Sequence, residues 1–188
     1  MKKNLDSYVK KYKNFLNKEI CNESIQQIEK FKWIEHKFYN QRKKQLENVS
    51  GEQELDISYG DTFNNKIIMD KIWVALNDYM INLNLKWYNS WQGYTKIRFN
   101  RYEKNKKMAE HCDHIHSIFD GKIKGIPTLS VLGILNDNYK GGKFFMFEDK
   151  EIKLKQGDLI VFPSIFLYPH RVEPVTEGIR YSFISWVY

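Results

Sequence analysis

The segment EHCD, residues 110–113, places a histidine and an aspartate, His111 and Asp113, two positions apart. On an extended chain, side chains two positions apart leave the same face, so this pair points the same way. If the sheet rolls up, a strand from far along the sequence can bring His170 to the same point. Two histidines and one carboxylate can hold a ferrous ion and leave its other coordination positions open for chemistry.

A candidate anion-binding residue follows on the last strand pattern of the chain. Arg180 lies ten positions after His170, and the arginine side chain offers a planar fork of donors to a carboxylate. Arg180, Ser182, Ile184 and Trp186 share one face at period two, so the arginine and the serine point together into the predicted barrel.

Composition indicates one globular domain. The chain has 188 residues, of which 42% are hydrophobic and 15% aromatic, enough for one sizeable core. The net charge of +7 fits either a lysine-rich surface or an acidic partner, nucleic acid included. No recognisable nucleic-acid motif accompanies that charge.

Targeting and redox features are consistent with a cytoplasmic protein. The two cysteines, Cys21 and Cys112, form no CxxC motif, which is typical of reduced thiols. The first residues are charged and lack the apolar core of a signal peptide, and no apolar run is long enough to span a membrane.

The first half of the chain predicts helices and one strand. Helical spacing favours a helix over residues 4–30, with Asn22 or Ser24 capping a second segment, and residues 31–40 fit a first strand that contains His36. Residues 41–65 are a polar gap, either a lid or a surface loop. Residues 66–83 predict a helix with a continuous apolar stripe, widened by Ile67, Trp73 and Val74.

Short alternating runs with turn signals between them dominate the second half and predict many strands. The predicted strands are 86–90, 95–102, 128–135, 143–147, 151–154, 158–162, 168–172 and 179–187. The fold class is therefore α+β, mainly β. A jelly-roll, cupin-like double-stranded β-helix is expected, with the N-terminal helices behind it. We expect one domain over residues 1–188, with 1–90 as supporting helices and first strands and 91–188 as the jelly-roll core.

Four blocks of the sequence resemble the iron(II)/2-oxoglutarate dioxygenases, and within them the prolyl-hydroxylase-like branch. The blocks are RYEKNKKMAEHCD (101–113), ILNDNYKGG (134–142), QGDLIVFP (156–163) and HRVEPVTEGIRYSFISW (170–186). The resemblance implies that His111, Asp113 and His170 ligate Fe(II) and that Arg180 pairs with the distal carboxylate of 2-oxoglutarate. It also implies that Tyr102 and Ser182 hydrogen-bond this cosubstrate, and it makes ascorbate a further candidate cofactor.

The sequence departs from the family pattern where substrates are recognised. Asn105 replaces a turn glycine, and asparagine tolerates the left-handed backbone that such a turn needs. Met108 replaces a second tyrosine, while Pro127 and Ile134 stand where prolyl hydroxylases often carry a substrate-contacting arginine and a tyrosine. Metal and cosubstrate binding are expected to be intact, with substrate recognition rewritten or moved elsewhere.

The resemblance implies hydroxylation of a protein or peptide residue, with proline as the first candidate, O2 as co-reactant and succinate and CO2 as products. Three alternatives stay open: another residue or a small molecule as substrate, a nucleic-acid demethylase, or a jelly-roll binding module without catalysis. Nucleic-acid demethylases of this superfamily usually carry a second arginine six positions after the first. Trp186 stands there, which argues against a nucleic-acid substrate.

Overall fold

The computed structural model describes residues 4–40, 43, 45–47, 53–88, 90–113 and 126–188, which form two facing β-sheets with helices behind the larger sheet. A short 3₁₀ helix spans Leu5–Tyr8, and the α-helices are α1 (Lys18–Ile28) and α2 (Asn65–Leu83). The strands, in chain order, are β1 (Lys10–Tyr12), β2 (Ile34–Glu35), β3 (Phe38–Asn40), β4 (Gln45–Glu47), β5 (Asp56–Ser58), β6 (Arg98–Tyr102), β7 (Met108–His111), β8 (Leu129–Ile134), β9 (Lys140–Gly141), β10 (Phe144–Met146), β11 (Lys150–Glu151), β12 (Leu159–Pro163), β13 (His170–Val172), β14 (Val175–Glu177) and β15 (Arg180–Val187).

The two main sheets form the predicted barrel. The larger sheet has seven antiparallel strands in the order β1-β12-β8-β15-β6-β5-β2, and the smaller sheet has four in the order β11-β10-β13-β7. Leu132 and Phe162 from the larger sheet share one buried apolar cluster with Phe144 and Val172 from the smaller sheet. The expected double-stranded β-helix, α+β and mainly β, is therefore confirmed.

The outer face of the larger sheet is covered by the helices. The α2 stripe packs with sheet residues that include Phe99, Val131 and Phe183. Its buried members are Ile68, Ile72, Ala75, Leu76, Tyr79, Met80 and Leu83, as the spacing predicts. The expected widening of the stripe is wrong, because Ile67, Trp73 and Val74 are exposed on the other side of the helix. In the part of the chain that is described, no helix is long and apolar enough to cross a membrane.

The helix predicted over residues 4–30 is wrong in its first half. Residues Lys10–Tyr12 form the edge strand β1, which pairs with β12, and the Tyr12 hydroxyl donates to the carbonyl of Ala75 at 2.9 Å. This strand pairing and this hydrogen bond stabilise an extended conformation, although the apolar residues of the segment have helical spacing. Helix α1 is capped by Asn17, whose side chain accepts from the amide of Ile20 at 2.8 Å, whereas Asn22 and Ser24 lie inside the helix.

Residues 31–65 also differ from the expectation. The single strand predicted over 31–40 is two short strands, β2 and β3. The polar gap contains β4 and β5, and β5 joins the larger sheet beside β6. Asp56 of β5 accepts from Arg101 at 3.2 Å and from Lys106, so charged side chains hold this strand in place.

In the second half, seven of the eight predicted strands coincide with observed ones within one or two residues at most ends. The strand predicted at 86–90 does not appear among the described residues of that range, because residues 86–88 form a turn after α2. The short strands β9 and β14 pair with each other and were not predicted.

Candidate active site

Three of the predicted site residues meet at one point on the smaller sheet. His111 ends β7, His170 begins β13, and the two are direct cross-strand partners with ring centroids 4.3 Å apart. Asp113 follows two residues after His111. One nitrogen or oxygen atom from each of the three side chains lies within 4.8 Å of the others, close enough for one metal ion to reach all of them.

The backbone orients both imidazoles. Nδ1 of His111 lies 2.8 Å from the carbonyl of Ala109, and Nδ1 of His170 lies 3.1 Å from the carbonyl of Tyr168. Because a carbonyl oxygen only accepts, Nδ1 donates in each ring, which leaves Nε2 as the nitrogen available to ligate a metal. The two Nε2 atoms face Asp113 Oδ1 at 3.4 and 3.8 Å, the side on which a metal would sit.

The charge states of the buried members suit metal binding. Burial by itself would raise the pKa of Asp113, but His170, His111 and the Ser130 hydroxyl together lower it below its ordinary value. Burial, followed by repulsion from His111, lowers the pKa of His170 to about 4. At neutral pH Asp113 is therefore a carboxylate and His170 is neutral, the forms that ligate a metal.

A serine pair supports the carboxylate and was missed from the sequence. The Ser130 hydroxyl donates to Asp113 Oδ2 at 2.6 Å, and its oxygen lies 2.8 Å from that of Ser164. Ser130 is fully buried and shares the inward face of β8 with Leu132 and Ile134. A polar residue at an inward position of that strand was the available signal.

Arg180 stands inside the barrel on the larger sheet, with 1% of its surface exposed. Its Nη1 donates to Ser182 Oγ at 3.1 Å, and its guanidinium lies 4.8 Å above the ring of Tyr102, its cross-strand partner. Nε has no hydrogen-bond partner, and no carboxylate of the described residues pairs with the side chain. A buried cation without a counter-ion is unfavourable, so this geometry fits a ligand that brings a carboxylate.

Tyr102 and Ser182 are both buried beside Arg180. Burial raises the pKa of Tyr102, although the positive charges of Arg180 and Arg98 act against this, so the phenol stays protonated. The structure thus brings the six predicted site residues into two groups, one on each sheet of the same barrel. Their roles in binding remain predictions.

Two described side chains near the ligands, Cys112 and His36, take no part in the metal cluster. Cys112 turns away and its thiol donates to the carbonyl of Phe166 at 3.5 Å, as expected on an extended segment. The ring of His36 meets that of Phe38 edge to face, and Phe38 in turn contacts His111, but His36 contributes no ligand atom to the described cluster. His114 and His116 lie outside the described residues.

Arg98 is a further functional candidate that sequence reasoning missed. Only 8% of it is exposed, and its guanidinium lies 4.9 Å above the ring of Trp186. The signal was its position at period two with Asn100 and Tyr102, which puts a cation on the inward face of β6.

The donor set fits Fe(II) and 2-oxoglutarate. Two imidazoles and a carboxylate match the facial ligand set of non-haem iron oxygenases. The unpaired guanidinium of Arg180 matches an acid with a second carboxylate. Nothing in the cluster favours a closed structural metal site, since the described ligands number three and lie on one side.

Comparison with protein families and curated proteins gives a consistent result. Residues 97–188 match the 2OG-Fe(II) oxygenase superfamily. A PKHD-type hydroxylase of Delftia acidovorans (strain DSM 14801 / SPH-1) is 31% identical over 140 residues, which cover 71% of this chain and 58% of that protein. A PKHD-type hydroxylase of Xylella fastidiosa (strain M12) is 36% identical over 107 residues, covering 48% of this chain and 43% of that protein. The chain thus spans about half the length of these relatives.

Solved structures share the fold along nearly the whole chain. The viral collagen prolyl hydroxylase of Paramecium Bursaria Chlorella virus-1 has a TM-score of 0.67 at 18% identity, covering 97% of both chains. A Pseudomonas putida prolyl-4-hydroxylase has a TM-score of 0.64 at 18% identity, covering 96% of this chain and 91% of that one. A Trichoplax adhaerens prolyl hydroxylase, in complex with a hypoxia inducible factor peptide fragment, has a TM-score of 0.69 at 22% identity, covering 96% and 83%.

Proposed function

We propose that this chain is an iron(II)- and 2-oxoglutarate-dependent dioxygenase, because its residues 97–188 match the 2OG-Fe(II) oxygenase superfamily. It hydroxylates a residue of a protein or peptide, with proline as the first candidate. The observation that carries the proposal is the pairing of two features in one barrel: the cluster of His111, Asp113 and His170, and the buried guanidinium of Arg180 without a counter-ion.

In the proposed enzyme, His111 and His170 bind the metal through Nε2 and Asp113 binds it through Oδ1. The backbone carbonyls that accept from Nδ1 fix the imidazoles, and the Ser130 hydroxyl fixes the carboxylate. Outer partners of this kind preserve the direction and the basicity of metal ligands. When bound, iron with 2-oxoglutarate and O2 supplies the oxidation, in which one oxygen atom enters the substrate and the other enters succinate, with release of CO2.

Arg180 takes the distal carboxylate of 2-oxoglutarate through its fork of donors. Ser182 already accepts from Nη1 and keeps its own hydroxyl proton for the same ligand, and Tyr102 lies under the guanidinium. Since all three side chains are buried, the ion pair forms away from water and is correspondingly strong. The contribution of these residues is to bind and orient the cosubstrate and to exclude water.

The choice of a protein or peptide substrate rests on similarity. Relatives that are over 30% identical are PKHD-type hydroxylases, and one structural relative holds a peptide. The alternatives are another residue, a free amino acid or small molecule, or a binding module without turnover. An intact ligand cluster supports catalysis over the inert module.

Three accompanying proposals complete the description. Residues 1–188 form one oxygenase domain, supported by the strands β1, β2 and β5, which extend the same large sheet. Ascorbate acts as a reductant that keeps the iron ferrous. The location is cytoplasmic, supported by the free thiols of Cys21 and Cys112.

The test is direct. The iron-loaded protein is incubated with 2-oxoglutarate, with and without ascorbate, and with a library of proline-containing peptides. Succinate is quantified, and added oxygen is located by mass spectrometry. We expect succinate formation coupled to oxygen on proline, and no succinate from Asp113→Ala, because a ligand is lost.

Cys112→Ala is the matched control, since it changes the residue between two proposed ligands but points away from them. It should keep wild-type succinate production. Wild-type turnover by Asp113→Ala would refute the ligand assignment. Added oxygen on a residue other than proline would redirect the substrate while leaving the iron chemistry in place.

A further inference from the structure

The barrel contains a second buried guanidinium that the proposed metal and cosubstrate sites do not use. Arg98 lies on the inward face of β6 and is opposite Ile184, whereas Arg180 is opposite Tyr102. The two arginines are thus four residues apart along the paired strands, which corresponds to about 13 Å in extended chain. If Arg180 binds the distal carboxylate of 2-oxoglutarate, Arg98 remains available to bind a carboxylate from another molecule.

The side chains that Arg98 contacts directly are neutral, although the Asp113 carboxylate acts on it from a distance. Its Nε donates to Asn100 Oδ1 at 3.1 Å, its guanidinium lies 4.9 Å above the ring of Trp186, and it donates to the Tyr59 hydroxyl. No acidic side chain in the described ranges forms an ion pair with it. A guanidinium is always charged, and Asp113 attracts this one without forming an ion pair, so an incoming negative group would give Arg98 the direct counter-ion that it lacks among the described side chains.

Neighbouring side chains connect Arg98 to the metal end of the cavity. Trp186 is the cross-strand partner of Ser130, and Ser130 in turn donates to Asp113. On the other side stands Tyr59, whose side chain is 65% exposed. Arg98 therefore has the metal cluster close to it on one side and a solvent-exposed tyrosine on the other.

Two further polar atoms beside Arg98 lack partners. Trp186 Nε1 and His36 Nδ1 are buried and form no hydrogen bond with any described group. Burial, and then the positive charge of Arg98, lower the pKa of His36 to about 3, so this ring is neutral at physiological pH. An indole N–H can only donate, so a ligand that brings acceptor oxygens would satisfy it as well as the guanidinium.

We propose that Arg98 is the substrate-recognition residue and that it binds a carboxylate on the substrate, which makes the preferred substrate an acidic peptide with Asp or Glu close to the hydroxylated residue. The inference rests on the proposed function and adds the substrate class to it. The cosubstrate also carries carboxylates, so the experiment must distinguish a substrate carboxylate at Arg98 from a cosubstrate carboxylate at Arg98.

The experiment uses proline peptides in which the positions flanking proline carry Glu, Gln or Lys. Binding to the protein loaded with Mn(II) and 2-oxoglutarate is measured by isothermal titration, which needs no turnover. We expect the wild type to prefer the Glu peptide over the Gln peptide by about tenfold or more in Kd, the usual effect of one charge-assisted hydrogen bond. Arg98→Gln should abolish this preference, and Arg98→Glu should shift it towards the Lys peptide.

Lys96→Gln is the control for loss of one positive charge, because Lys96 is exposed and lies on the same segment. It should keep the preference for the Glu peptide. Arg98→Lys is the control for misfolding, since it keeps the positive charge and loses only the planar set of guanidinium donors. This variant should retain a weakened preference for Glu.

Titration of 2-oxoglutarate into the same Mn(II)-loaded variants identifies the source of the carboxylate. Arg98→Gln should leave the Kd of 2-oxoglutarate within about twofold of wild type, because the cosubstrate carboxylate is assigned to Arg180. A loss of 2-oxoglutarate binding comparable to that of an Arg180 variant would overturn the inference in favour of the cosubstrate. Equal affinity of the wild type for Glu and Gln peptides would also overturn it.

Failure of the proposed function gives a different pattern. In that case the iron-loaded wild type forms no succinate with any peptide, whatever its flanking charge. Succinate formation without an acidic preference contradicts only the role of Arg98.

Discussion

Replacement of Arg180 by methionine should have opposite effects on ligand binding and on the stability of the empty protein. In the empty protein the guanidinium is buried, one of its nitrogens has no partner, and its hydrogen bond goes to Ser182. Removing a buried, uncompensated charge and filling the space with an apolar chain is commonly neutral or stabilising by about 1–4 kcal/mol. At about 2–4 °C per kcal/mol for a chain of this size, Tm should rise or stay unchanged.

Binding of 2-oxoglutarate should fall steeply in the same variant. Truncating one partner of a buried, hydrogen-bonded charge pair typically removes about 2–5 kcal/mol. Because 1.4 kcal/mol is about a factor of ten, the Kd should rise by roughly 30-fold to several thousand-fold. Arg180→Lys should fall between wild type and methionine, since it keeps the charge but loses the fork.

Thermal unfolding with and without 2-oxoglutarate, in the presence of Mn(II), measures both effects in one assay. At a ligand concentration about 100 times Kd, the wild type should gain about 2.7 kcal/mol, or roughly 5–10 °C. The methionine variant should show little or no shift at the same concentration. If it keeps the full wild-type shift, Arg180 does not hold the cosubstrate, and the function built on it is wrong.

Three further predictions concern the support of the site and the packing of the barrel. Ser130→Ala removes the hydroxyl that fixes the carboxylate ligand and should weaken metal binding by about 10–100-fold, measured by Mn(II) titration. Asp158→Asn breaks a buried ion pair with Lys11 at 2.8 Å and should lower the free energy of unfolding by about 1.5–3 kcal/mol at neutral pH, measured by urea unfolding. Burial raises the pKa of Asp158, but Lys11 and two backbone amides lower it by more, so the pKa in the folded protein lies below the ordinary aspartate value. The stabilisation is therefore present above the ordinary aspartate pKa and is lost in acid. Gly133→Ala places a methyl group 2.0 Å from the Phe183 ring and should destabilise by about 1–3 kcal/mol, with partial rescue by Phe183→Leu.

Each of these predictions has a clear contrary result. Unchanged metal affinity in Ser130→Ala would mean that the ligand cluster is oriented without the hydroxyl. A difference between wild type and Asp158→Asn that persists in strong acid would exclude the ion pair as its cause. If the changes in the free energy of unfolding caused by Gly133→Ala and Phe183→Leu simply add in the double variant, the new methyl group does not collide with the Phe183 ring.

The metal cluster could be predicted because its geometry follows from strand periodicity. His111 and Asp113 share a face at period two, and the pairing of β7 with β13 brings His170 directly opposite His111. Helix α2 was predictable for the same reason, since seven buried residues repeat at helical spacing over a long segment. In both cases the local pattern and the tertiary contacts agree.

Other elements depend on contacts that a local pattern does not contain. Lys10–Tyr12 has helical spacing with the residues after it, but pairs with β12 almost 150 positions later. Strand β5 has only three residues and lies in a polar stretch, and its Asp56 pairs with Arg101 and Lys106 about 50 positions later, while Ile57 joins the core. Such long-range partners become visible only in the folded chain.

The roles of the polar residues in the barrel interior also could not be predicted from local sequence patterns. Ser130 looks like an ordinary strand serine until its hydroxyl is seen beside Asp113, and Arg98 looks like another surface cation in a basic chain. The period-two pattern of each strand indicates that these two side chains point inward. The pattern does not indicate which side chains lie next to them on the neighbouring strands.

The serine beside the aspartate has a consequence for the coordination number of the metal. Oδ2 of Asp113 is occupied by the hydroxyl of Ser130, and only Oδ1 faces the two imidazoles. Asp113 would therefore offer a bound metal one oxygen, so that the described residues would supply three ligand atoms in all. By engaging the second oxygen, the Ser130 hydroxyl would limit how much of the ion the protein itself occupies and so leave part of it accessible to the reactants.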